Sequence, residues 1–198
     1  SASMMERFSE IGLSLAYLAL ARFYFSRQDW LLAESYLARA RQHAQANRAT
    51  WMDGPLVELT EVRFWIARGE LEQAVDWARR RNLLDRSPAE IFAEAERSAA
   101  IRELVQGECL TLTRLYLAQG QPQKALEMLT LLQGQVEKRG QLRRVIEVLV
   151  LVALARQQAN DLDGALQTLG KVLSLAEPEG YQRAFVDEGA PMAHLLYQ

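Results

Sequence analysis

The chain has 198 residues, 49% of them apolar and 24% charged, with a net charge of −2. That is the balance of an ordinary globular protein, and it provides no overall basic field to draw nucleic acid or an anionic membrane. The single cysteine, Cys109, excludes an internal disulfide and fits a reducing compartment, so a cytoplasmic location is expected.

The opening Ser1-Ala2-Ser3-Met4-Met5 lacks the charged-then-apolar pattern of a signal peptide and reads as the cut end of a longer chain. Apolar residues then recur at helical spacing in pairs of runs. The first pair is predicted over about 6–46, broken at Arg27-Gln28-Asp29. The second covers about 55–81, with Pro55 in a first turn, where its missing N–H costs nothing. An irregular stretch follows. In it, Ser87-Pro88-Ala89-Glu90 has the spacing of a capping box and predicts a short inserted helix over about 88–97. The third pair is predicted over about 101–138 and the fourth over about 141–176. The most apolar run, 145–155, is bounded by Arg144 and Arg156 and is too short to span a bilayer. A tail, 181–198, leads into a last helix opened by Pro191, whose Met192, Leu195 and Leu196 are expected to stay exposed and to favour self-association.

One pattern repeats four times: a small polar turn and then, at a fixed offset, an alanine. It reads Gln28-Asp29 then Ala33, Gly69-Glu70 then Ala74, Gly120-Gln121 then Ala125, and Asn160-Asp161 then Ala165. The alanines stand 41, 51 and 40 residues apart, and the long middle step locates the insertion. Such periods belong to helical solenoids. The predicted fold is therefore all-α: a right-handed superhelix of about four antiparallel helix pairs, forming a single array over 1–198. Twelve residues before each alanine stand Ala21, Val62, Thr113 and Ala153, small enough for close helix approach. Nine before stand Tyr24, Trp65, Tyr116 and, in the last copy, Arg156; four after stand Leu37, Ala78, Leu129 and Leu169. In this logic the chain resembles the tetratricopeptide repeat, with a longer period and with Arg156 in place of an aromatic.

The second half carries a narrower resemblance. The stretches Leu110 to Gly120 and Ala165 to Leu175, and above all Tyr181-Gln182-Arg183-Ala184-Phe185-Val186-Asp187-Glu188-Gly189-Ala190-Pro191-Met192, are similar to the MalT-like, LuxR-type ATP-dependent transcriptional regulators of bacteria. The resemblance implies a sensor superhelix lying between an ATPase and a DNA-binding domain. This segment has no Gly-x-x-x-x-Gly-Lys-Ser/Thr phosphate loop, so any ATP belongs to another domain and no cofactor is expected here.

No catalytic constellation is legible, and no metal site: His43 and His194 lie far apart, and neither has a Cys, Asp or Glu at i+4. Cys109 falls in the apolar phase of a helix and reads as a buried thiol. One constellation remains. Eleven residues before the anchor alanines stand Arg22, Arg63 and Arg114, then Leu154. In a helical-repeat array this phase faces the concave side. Glu147 projects to that side, and Phe25, Ile66 and Leu117 lie three residues beyond the arginines. Trp51, in the loop before the second pair, could cap such a groove. Planar cationic forks among apolar patches suit an anionic or hydroxyl-rich ligand. The same arginines could equally bridge to acidic side chains of neighbouring repeats, with Glu58, Glu61 and Glu108 available. Two functions follow. One is a sensor binding a small-molecule inducer or a regulatory protein, with no direct contact to nucleic acid or membrane. The other is a generic tetratricopeptide adaptor for protein partners. An enzyme is not expected.

Overall fold

The computed structural model describes residues 2–46 and 52–198, with side chains from Leu13 onward. Among the described residues there are helices and turns and no strand. The helices are α1 Ala2–Ser26, α2 Trp30–Ala46, α3 Asp53–Arg68, α4 Leu71–Arg80, α5 Pro88–Ala95, α6 Ala99–Ala118, α7 Pro122–Lys138, α8 Leu142–Gln158, α9 Leu162–Ala176, α10 Arg183–Val186 and α11 Ala190–Leu196. The chain divides into two compact units, Ser1–Arg68 and Gly69–Gln198, with the boundary at the turn between α3 and α4. Within the first unit α2 and α3 each pack on α1; within the second the helices pack as the sequential pairs α6–α7 and α8–α9. This is the all-α, tetratricopeptide-like architecture that the repeat pattern predicts.

The recurring turn has a specific backbone. The first residue of each copy adopts a left-handed conformation, with φ of +60° at Gln28, +78° at Gly69, +69° at Gly120 and +63° at Asn160. In three copies two hydrogen bonds then close the helix end. The amide of Gln28 donates to Phe25 and that of Asp29 to Tyr24; Gly120 donates to Leu117 and Gln121 to Tyr116; Asn160 donates to Gln157 and Asp161 to Arg156. This is the Schellman arrangement, which satisfies carbonyls that a helix end otherwise leaves open. The residue in the left-handed position must be glycine, or pay a steric penalty that asparagine bears best.

The fixed offset to the alanine follows from packing. Ala33 is 1% exposed, and Ala74, Ala125 and Ala165 are fully buried, as are Ala21, Val62, Thr113 and Ala153 twelve residues earlier. Small side chains on both helices let the backbones approach, and a closed turn fixes which residues meet. Thr113 fits such a place because its hydroxyl donates to the Cys109 carbonyl at 2.8 Å, leaving no orphaned polar atom. Arg156, the apparent departure from the pattern, occupies the aromatic's position by other means. Its Nη1 donates to the Gly164 carbonyl and to Thr168 Oγ1, both at 3.1 Å, so it clasps α9 across the turn.

The insertion forms as its capping box predicts. Ser87 Oγ accepts from the Glu90 amide, and the Glu90 carboxylate accepts from the Ser87 amide at 2.7 Å. Ser87 holds the Glu90 carboxyl below its ordinary range. Ile91, Phe92 and Ala95 are buried, and α5 packs on α6 and α7. The start of α6 lies two residues earlier than predicted, because Ser98 caps it by accepting from the Ile101 amide.

The C-terminal stretch corrects one expectation. Met192 and Leu195 are not exposed: each is 1% accessible, with α11 packed on α8. Leu196 and Tyr197 do face outward. Here α8 is apolar nearly all round, with the eight consecutive residues from Val148 through Ala155 and the preceding Val145 and Ile146 buried. A helix of that kind needs cover on every side, and the tail supplies part of it.

Candidate functional site

The equal-phase residues fall on the first helices of their pairs: Arg22 on α1, Arg63 on α3, Arg114 on α6 and Leu154 on α8. In the first unit Arg22 and Arg63 are half-buried. Phe25, also half-buried, stacks on Phe64 with ring centroids 3.9 Å apart and meets Trp30 edge-on at 4.9 Å. That aromatic contact joins α1 to α3, so Phe25 serves the core of this unit. Ile66 is half-buried on α3. Trp51 lies outside the described residues.

The second unit resolves the question of what Arg114 binds. Its partner is none of the glutamates within the repeats. Glu61 pairs instead with Arg41, and Glu108 accepts from Arg81 Nε at 2.7 Å. Arg114 pairs with Glu188, from the tail. Its Nη2 donates to Glu188 Oε1 at 2.6 Å and its Nε to both carboxylate oxygens at 3.1 Å. Its Nη1 donates to the Leu110 carbonyl at 3.2 Å. The fork is therefore fully used, and the pair is largely withdrawn from water, with the two side chains 12% and 8% exposed.

Around this pair lies a charged network. Glu147 on α8 accepts from Arg144 at 2.6 Å and from Arg143 at 3.2 Å, and Arg144 also binds Glu103 of α6. Within the tail Arg183 pairs with Asp187 at 2.9 Å. Burial alone would lower the Arg114 pKa, but the Glu188 carboxylate, with help from Glu147 and Asp187, holds it above its ordinary value. Burial alone would raise the Glu147 carboxyl. Arg144 and Arg143, with Arg114 behind them, draw it down instead. Arg114 and Glu147 are thus each held toward the charged form by their neighbours, against the effect of burial. Leu117 is half-buried near this face, and its carbonyl accepts from Gln158 at 2.9 Å.

Arg114 and Glu147, two of the residues singled out from the sequence, thus come together on the faces of α6 and α8. The fork presented there has the geometry for recognising an oxyanion: two donors in one plane, at a place where water competes little. Glu188, Asp187, Arg183 and Arg144 were missed among the candidates. The signal for the first three lay in the Tyr-x-Arg-x-Phe-Val-Asp-Glu-Gly stretch, whose Arg183 and Asp187 stand at the i,i+4 spacing of an ion pair, and that for Arg144 in its i,i+3 spacing to Glu147.

Among the described residues no helix is long and apolar enough to cross a membrane, and no group of three or more His, Cys, Asp or Glu residues is placed to hold a metal ion. No curated protein and no solved structure matches the chain. The family described as the MalT-like TPR region matches residues 2–198. With its left-handed turns, buried anchor alanines and paired helices, the chain belongs to that MalT-like TPR family.

Proposed function

We propose that this chain is the sensor region of a bacterial transcriptional regulator of the MalT-like, LuxR type, acting in the cytoplasm. A small-molecule inducer or a regulatory protein binds on the first helices of the pairs, with Arg114 and Glu147 as its polar contacts in the second unit and Arg22 and Arg63 as the corresponding contacts in the first, each unit taken by itself. It makes no direct contact with nucleic acid or membrane, catalyses no reaction and needs no cofactor of its own; ATP, if used, is bound elsewhere in the regulator. The observation that carries this reading is the Arg114 fork, which already holds a carboxylate in bidentate geometry on that face. A ligand that touches several repeats favours one arrangement of the array by its differential affinity, and that is sufficient for a signal.

The test is a thermal-shift screen of sugars, sugar phosphates and amino-acid metabolites, because a specific ligand raises stability with its concentration. Arg63→Ala and Arg114→Ala should each weaken the response to the compound found. A folded double variant with unchanged affinity would overturn the assignment of the face. A second reading, a tetratricopeptide adaptor for a peptide partner, is favoured by the docked tail, which is itself a peptide lying against α8 and reaching α6. Stabilisation by an acidic peptide and by none of the metabolites would select it.

A further inference from the structure

The segment 181–189 differs from the rest of the second unit in how it is held. The helix α10 has no buried residue, Val186 is 52% exposed, and Phe185 is only half-buried. The residues on either side are anchored differently: Ala176 is buried in α9, and Met192 and Leu195 are buried in α11. Between these apolar anchors the segment is attached chiefly by charge, through Glu188 on Arg114.

Left-handed glycines bound it. Gly180 has φ +67°, and Gly189 has φ +63° with ψ −141°, a region essentially closed to other residues. A segment with little buried apolar surface opens locally at low cost, and glycines at both ends let it swing without disturbing its neighbours.

We propose that Arg114 is an oxyanion-binding site whose resident occupant is the tail carboxylate of Glu188, and that a small carboxylate or phosphate ligand takes the same fork by displacing the segment 181–189. The proposal rests on the reading that this face receives ligand, and adds the ligand's chemical class and the response it triggers. The Arg114 Nε and Nη2 that hold Glu188 are the donors a ligand oxyanion would use, while Nη1 stays on the Leu110 carbonyl in both states. Binding and tail docking are then mutually exclusive. An anion arriving at Arg114 frees a stretch of chain, so the site converts occupancy into a change of backbone order.

The experiment is hydrogen exchange of residues 181–189 in the whole chain, with glutarate and inorganic phosphate as the two probes. Glu188→Gln removes the charge and keeps the shape. It should reduce exchange protection of this segment by about tenfold to a hundredfold, the range that a charge-assisted bond represents, and leave α6 to α9 protected. Both the Glu188→Gln protein and Gly189→Ala, which strains the docked path without touching either charge, should bind one of the probes at lower concentration than the unaltered protein. In the unaltered protein that probe should itself speed exchange of the segment. Arg114→Lys, which lacks the fork, should abolish the probe's effect. Unchanged protection in both Glu188→Gln and Gly189→Ala would overturn the latch and leave the sensor reading standing. Equal probe affinity across all variants, or none, would overturn the anion site even if the segment is released.

Discussion

Replacing Gly120 by alanine, and Gln28 by glycine, should change stability in opposite directions at equivalent places in two repeats. Both residues hold the left-handed position of the turn, at φ +69° and +60°. A Cβ built on Gly120 meets nothing within 4 Å, so the whole effect of Gly120→Ala is conformational. An L-residue in that region costs about 1–2 kcal/mol. The narrower unfolded ensemble of alanine returns about 0.4–1 kcal/mol. The net loss is then about 1 kcal/mol, which in a chain of this size lowers the midpoint of thermal unfolding by about 2–4 °C. Gln28→Gly reverses both terms and should stabilise its unit by about the same amount. Urea unfolding followed by circular dichroism measures each difference, with the slope checked for constancy, since a changed slope would report an altered denatured state or broken two-state behaviour. Gly120→Ala with undiminished stability, or Gln28→Gly with a loss, would refute the claim that a left-handed residue is what the turn demands.

Acid should weaken the second unit through Glu147. Its carboxyl is held below the ordinary glutamate value of 4.5 by the neighbouring arginines, so its contribution is complete above that value and is lost as the pH falls through the depressed folded value. The stability difference between the unaltered protein and Glu147→Gln should therefore be constant from neutral pH down to about 5 and shrink below the ordinary range, measured as unfolding midpoints against pH. A difference that grows on acidification would contradict the sign. Cys109 is 1% exposed, and burial raises its thiol well above the usual range. A thiol reagent at pH 8 should label it only when urea unfolds the second unit; fast labelling of the native protein would mean that α6 opens far more readily than its packing implies.

The turn and anchor positions were legible because their cause is local. A left-handed residue five positions before a buried alanine is fixed within one helix pair, and Gly69, Gly120 and Asn160 reveal it by residue type, whereas Gln28 is placed only by its register with them. The capping box of Ser87 and Glu90 was legible for the same reason. The partner of Arg114 was not. Glu188 is 74 residues away in sequence, and no spacing rule connects the two. Burial of Met192 and Leu195 escaped too, because it depends on a bare flank of α8 that only the folded arrangement reveals. Arg156 was correctly placed beside its turn, but its clasp on Gly164 and Thr168 depends on how α9 approaches. Local geometry thus announced the repeat, and the candidate site emerged where distant segments meet.

The inserted α5 has a consequence for how the second unit holds together. In a helical array an end repeat exposes the apolar side that an inner repeat covers with its neighbour. Through Ile91, Phe92 and Ala95, α5 shields one side of α6 and α7 with a stretch of chain that belongs to no repeat. The longest interval between anchor alanines therefore lies wholly inside the second unit and gives its first complete helix pair a lining borrowed from outside the repeat pattern.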